Sequence, residues 1–179
     1  MDTFGTSPSF TNFTVPKPVN KSGLAVRAMA SAVITAPVIM VWNEVRHFTF
    51  PGKLIPDLVE VCAMEEGAAT TQVGAVRQMT WKTGESQSHR LLALDDLEHK
   101  MSWEVERSSV PTEASAIISH IRLLKVTEDD FTFIEWTTEF SSDVEGDVVT
   151  FYQKANHETL QDIIRYFDTL MRPRYDKGV

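Results

Sequence analysis

A single cysteine, Cys62, rules out an internal disulfide and any cysteine-based zinc site, and it suits a reducing compartment. Nothing basic stands beside it in sequence, so Cys62 reads as a core residue rather than a nucleophile. Positive charge is also scarce. Seventeen basic residues against 25 acidic ones leave a net charge near −8, which opposes binding to phosphate backbones and anionic lipid. No nucleic-acid partner is expected. A membrane-spanning helix needs about 20 clean apolar residues, and the most apolar stretch, Leu24 to Trp42, is interrupted by Arg27 and Pro37. No membrane insertion is expected either. The chain does not open on a positively charged segment followed by an apolar core, so no secretory signal is read and the expected location is cytoplasmic. Metal patterns are missing: His157-Glu158 lacks the second histidine of a zinc helix, and Asp143 to Asp147 lacks the spacing of a calcium loop. Without a glycine run to cradle phosphate, neither metal nor organic cofactor is expected.

The length of 179 residues suits one domain that buries roughly two-thirds of its unfolded surface. Residues 1–22 are rich in Ser, Thr, Asn and Pro without apolar periodicity and read as a tail; residues 23–173 read as the domain and 174–179 as a short C-terminal tail. Leu24 to Thr35 reads as a strand. Ala36-Pro37 then opens a helix with Val38, Val41, Trp42 and Val45 on its buried stripe. Phe48 to Leu58, broken by Pro51, Gly52 and Pro56, is a second short helix or an irregular connection. Strands follow at Val59 to Met64, Ala75 to Lys82, His89 to Leu94, Lys100 to Glu106, Ala114 to Thr127 and Phe131 to Phe140, separated by turn residues. The last element is a long helix from about Asp147 to Met171. Its apolar residues, from Val148 and Phe151 to Phe167 and Leu170, recur at spacings of three and four, and Arg172, Pro173 and Arg174 stop it.

The hairpin from Gly74 to Asp96 carries the most information. Period-2 alternation puts Arg77, Met79 and Trp81 on one face of its first strand and His89, Leu91 and Ala93 on one face of its second. If both faces point inward, an arginine and a histidine share a wall of the core. A buried guanidinium without a partner costs several kcal/mol, so it calls for an internal counter-charge, a water network or a ligand.

The order of elements, with Ala36-Pro37, Val41-Trp42, Ile55-Pro56-Asp57, Val73 to Arg77, Arg90 to Asp96 and Glu135-Trp136, resembles the START/Bet v 1-like superfamily, and within it the polyketide cyclase/dehydrase branch. The resemblance covers about Ala25 to Met171. It implies an α+β helix-grip fold: a curved seven-stranded antiparallel sheet wrapped around a long C-terminal helix, with two short helices and an apolar cavity. It further implies binding of a hydrophobic small molecule and, in some members, cyclisation, dehydration or isomerisation. Plant relatives place an arginine where Arg77 stands and a glutamate where His89 stands, so the chain departs from their pattern at His89.

The candidate catalytic set is therefore Arg77, His89 and Glu135. Arg77 would hold a carboxylate or a developing oxyanion, His89 would shuttle a proton, and Glu135, with Phe133 and Thr137 as same-face neighbours, would orient one of them. The structural alternatives are an Arg77–Glu135 pair and a hydrogen-bonded core histidine. Candidate ligand contacts are Met79, Trp81, Leu91 and Trp103, then Ala116, Ile118 and His120 on the sixth strand, Phe133 and Thr137 on the seventh, and Phe151, Ala155 and Thr159 on the terminal helix. Three functions share these features: an enzyme of proton-transfer chemistry, a carrier or receptor of a hydrophobic ligand, and an interaction module whose interior is filled by side chains. A monomer or homodimer is expected.

Overall fold

A computed structural model describes residues 26–111 and 114–171. The readings for residues 1–22, Leu24, Arg172 to Arg174 and the C-terminal tail lie outside them. Seven antiparallel strands, β1 (Val26–Ile34), β2 (Val59–Met64), β3 (Val76–Trp81), β4 (Ser86–Asp95), β5 (Lys100–Ser108), β6 (Ile117–Val126) and β7 (Phe131–Phe140), form one sheet in the order β1-β7-β6-β5-β4-β3-β2. Helices α1 (Val38–Val45) and α2 (Phe50–Leu54) link β1 to β2, and α3 (Gly146–Met171) ends the described chain. This is the helix-grip arrangement expected from the sequence.

Local chemistry explains the elements. Pro37 caps α1 with its φ already near the helical value, and the Thr132 hydroxyl donates to the Ala36 carbonyl at 2.7 Å, tying the helix start to β7. α1 buries Val38, Val41, Trp42 and Val45, the stripe its spacing predicts. Its far end is pinned by Asp96 in the β4–β5 turn, which accepts from Trp42 Nε1 at 2.9 Å and from Arg46 Nη2 at 2.7 Å. In α2, Gly52 lies so near β2 that a Cβ there would meet Cys62 Cβ at 3.0 Å. Gly84 turns the β3–β4 hairpin with a positive φ, a conformation open mainly to glycine.

α3 packs chiefly along β1, with shorter contacts to β7 and α2. Small residues allow this approach, since Ala28 and Ala30 lie buried on the inner face of β1. The concave face holds two apolar clusters, a large one around α1, α2 and the second half of α3, and a small one around Ala28, Ala114, Ile117 and Phe140. Polar contacts cross the same face: the Thr138 hydroxyl lies 3.1 Å from that of Ser119 and accepts from Asn156 Nδ2 at 3.1 Å.

Candidate functional site

Pairing registers decide which side chains share the concave face. Arg77 stands opposite His89, and Leu91 opposite Trp103. Met79, Leu91 and Trp103 are buried in the main core, with Trp81 packed against it and half-buried. These four take the inner positions their alternation predicts.

Other candidates lie elsewhere. On β6 the inward residues are Ile117, Ser119, Ile121 and Leu123, so Ile118 and His120 face the convex side and Ala116 precedes the strand, exposed. His120 instead meets Ser102 through Nδ1 at 2.8 Å and lies 3.7 Å from Glu139. On β7 the core takes Thr132, Ile134, Trp136, Thr138 and Phe140, which turns Phe133, Glu135 and Thr137 outward. Glu135 thus pairs in register with Arg122 and does not reach Arg77. On α3, Thr159 is buried toward the sheet and Ala155 is half-buried, but Phe151 is 67% exposed, because the first turns of the helix meet the small cluster through Val148, Val149 and Tyr152 instead.

Arg77 is 1% exposed. No acidic side chain forms an ion pair with it among the described residues. Its Nε donates to His89 Nδ1 at 3.1 Å and its Nη1 to the Phe48 carbonyl at 2.5 Å. Aromatic faces supply the rest of its surroundings: its Cζ lies 4.2 Å from the Phe48 ring centre, 5.2 Å from Trp103 and 5.7 Å from Phe50. Cation–π attraction partly replaces the missing carboxylate. Burial pushes the guanidinium pKa down to about 10, so it remains a cation at neutral pH.

Burial, and then the Arg77 charge, hold His89 well below the usual histidine range. Since an arginine nitrogen can only donate, Nδ1 accepts and the ring proton resides on Nε2, which donates to Gln87 Oε1 at 3.0 Å. Both ring nitrogens are occupied, and the imidazole is neutral.

Beyond Arg77, Trp103 and Trp136 meet edge to face at 5.4 Å, and Phe50 stands 6.1 Å from Trp136. The Trp136 Nε1 is buried and has no hydrogen-bond partner among the described residues. Sequence reasoning missed Gln87 as an inner residue and, although Trp136 reads as a core tryptophan, turned it from the concave face by setting Glu135 inward; the alternation of Ile134, Trp136 and Phe140 was the available signal. Phe48, Phe50, Trp103 and Arg77 fill the interior beside β3 to β5. Inner-facing Gln87, Val105, Trp81 and Trp136 still reach solvent in part. Two cavities, of about 430 and 290 Å³, open elsewhere: the first between Ile55-Pro56 and Tyr166 to Leu170 of α3, the second at the β5–β6 connection. Among the described residues no group of three His, Cys, Asp or Glu could hold a metal ion, and no helix is long and apolar enough to cross a membrane.

Solved structures share this architecture. Ara h 8.0201 superposes with a TM-score of 0.64 at 14% identity, over 80% of this chain and 97% of its own. The fold is Bet v 1-like. A protein of Nitrosospira multiformis superposes with a TM-score of 0.72 at 26% identity, over 82% of this chain and 99% of its own. An uncharacterised protein from Bacillus thuringiensis gives 0.65 at 19% identity, over 79% and 98%. No protein-family profile and no curated protein matches the sequence.

Proposed function

We propose that this protein binds a hydrophobic small molecule with an anionic or strongly accepting end against the concave face, and holds it without chemical conversion. One observation carries the reading: Arg77 is a buried cation with no acidic partner among the described residues. Such a charge costs several kcal/mol unless something compensates it, and an anion arriving from outside would do so. The unfilled Trp136 Nε1 supports this, because it and Arg77 flank the same two rings, Trp103 and Phe50. A flat ligand with oxygen acceptors could stack on those rings and meet both donors once the side chains part. Polyketide-like metabolites, with rings and acidic enol or carboxyl groups, have this chemistry, in keeping with the branch that the motifs resemble.

Holding is favoured over turnover by the state of His89. A general base needs a free lone pair and a general acid a proton it can release near neutral pH. His89 gives its lone pair to Arg77, its N–H to Gln87, and resists protonation. Glu135 faces the other side of the sheet.

Two fluorescent probes with the same ring system test the reading: anilinonaphthalene sulfonate, an anion, and phenylnaphthylamine, which is neutral. The anion should bind about tenfold tighter or more. Arg77→Met should remove that preference while leaving the neutral probe unaffected. The variant should fold with stability within about 1 kcal/mol of the wild type, because relief of the buried charge offsets the orphaned Phe48 carbonyl and His89 Nδ1. Equal binding of both probes to the wild type would sink the proposal, and so would a loss of several kcal/mol in Arg77→Met, the mark of a purely structural arginine.

A further inference from the structure

Three side chains on the convex face stand in the order that activates a serine as a nucleophile. Ser102 on β5, His120 on β6 and Glu139 on β7 belong to adjacent strands of the sheet. Pairing register sets Ser102 opposite His120, and Glu139 stands two residues along β7 from Thr137, the partner of His120 on that side. The Ser102 hydroxyl oxygen is 2.8 Å from His120 Nδ1, and His120 Nε2 is 3.7 Å from Glu139 Oε2. Hydroxyl, imidazole and carboxylate run in file across three paired backbones.

Glu139 sets the direction of the proton. Either partner of the Ser102–His120 contact could donate, but a carboxylate beside Nε2 favours the tautomer that carries the ring proton there. Nδ1 is then the acceptor, and the Ser102 hydroxyl donates to it. The contrast with His89 is chemical. His89 gives its lone pair to an arginine, whereas His120 gives its own to an oxygen that becomes nucleophilic as its proton leaves. The site is also within reach of solvent: the His120 and Glu139 side chains are 38% and 41% exposed, and Ser102 is half-buried.

We infer that Ser102 is a nucleophile that takes an acyl group from activated esters, with His120 as its general base and Glu139 positioning the ring. Ser102 Oγ forms a bond to the acyl carbon while its proton passes to His120 Nδ1. The bond from that carbon to the leaving oxygen breaks, the electron pair departs with the leaving group, and His120 returns the proton to it or to water. The surroundings define the donor. β5 and β6 are interior strands that spend their backbone N–H groups on the ladder, so the developing oxyanion is left to Lys100 and Arg122, an exposed register pair next along on the same face. Exposed cations stabilise such a charge less than fixed amides do. The donor therefore needs a good leaving group, as in an aryl ester or an acyl phosphate.

The full chain is incubated with p-nitrophenyl acetate, and acetylation is followed residue by residue with peptide mass spectrometry. Ser31, exposed on the convex face of β1, is the internal reference. Ser102 should be acetylated at least about a hundredfold faster than Ser31, the low end of what a positioned base supplies. His120→Gln should bring Ser102 down to the rate of Ser31. Glu139→Gln should slow it about fivefold, the upper worth of an exposed charge pair. In ¹⁵N spectra of the neutral ring, Glu139→Gln should also turn His120 from the Nε2-protonated tautomer into a mixture, a change that a merely structural glutamate would not produce. Acetylation of Ser102 no faster than that of Ser31 overturns the inference, in a comparison within the wild type that needs no variant to fold. A Ser102 rate left unchanged by His120→Gln overturns it as well, and an unchanged tautomer and rate in Glu139→Gln overturns the role of Glu139.

Discussion

His89 gives up its ordinary titration to serve Arg77. Burial and the neighbouring guanidinium depress its folded pKa, so as pH falls the unfolded chain takes up the proton first. Its contribution to stability is present above the unfolded value of about 6.5 and is lost toward acid, with the folding constant falling up to about tenfold per pH unit below it. Urea unfolding at pH 7.5 and 5.5 should register that loss, and His89→Gln should flatten the difference; an unchanged slope in that variant would assign the acid sensitivity to other groups. The meeting of Arg77 and His89 was legible in the sequence, because alternation holds from Arg77 to Trp81 and from Gln87 to Leu91. Past Leu91 a bulge breaks it, so Ala93 is exposed and Leu94 turns to the core in its place. Glu135 was misplaced for the opposite reason. Along β7 hydroxyls point inward at Thr132 and Thr138 while an aromatic, Phe133, points outward, so polarity does not mark the buried side.

α2 illustrates how an element's neighbours can override its own preferences. Exchanging a helical glycine for alanine ordinarily stabilises by about 0.5–1 kcal/mol. At Gly52 the added Cβ would press on Cys62 at 3.0 Å, across the contact between α2 and β2. Gly52→Ala should therefore destabilise by about 1 kcal/mol, since relief requires the two backbones to part. A thermal melt above that of the wild type would refute the close contact. Strand limits were read to within a few residues because turn residues bracket them. Facing was lost on β6, where Ile117 and Ile118 are adjacent and equally apolar, so that Ala116, Ile118 and His120 were set inward one position out of step. Phe151 fits the apolar stripe of α3, yet the buried face of its first turns runs through Val148, Val149 and Tyr152 and leaves Phe151 outside it.

The topology joins both ends of the described chain into one unit. Among the described strands β1 pairs with β7 alone and carries α3 along its length, and the Thr35 hydroxyl donates to Asp168 of the helix at 2.7 Å. Separating α3 would strip β1 of most of its burial, so the two should open together. Native-state hydrogen exchange should accordingly give the same opening free energy for the amides of residues 28–34 and 160–167. Distinct values would show that the helix leaves without the strand. This architecture was the most legible level of all, because element order and turn spacing survive local errors of parity. The filling of the interior was not legible, since it depends on where Phe48 and Phe50 pack once α1 and α2 fold back over the sheet.

Pairing β1 with β7 also sets a timetable on the ribosome. Ile34 meets Thr132 and Val26 meets Phe140, so about a hundred residues are synthesised between the two strands. At roughly 5–20 residues per second that interval is about 5–20 s. Throughout it, β1 stands without β7, and Met29 and Val33, exposed even in the finished sheet, lie in an extended apolar segment. A chaperone that holds such segments would have its longest opportunity on β1, the first of the described strands to be made.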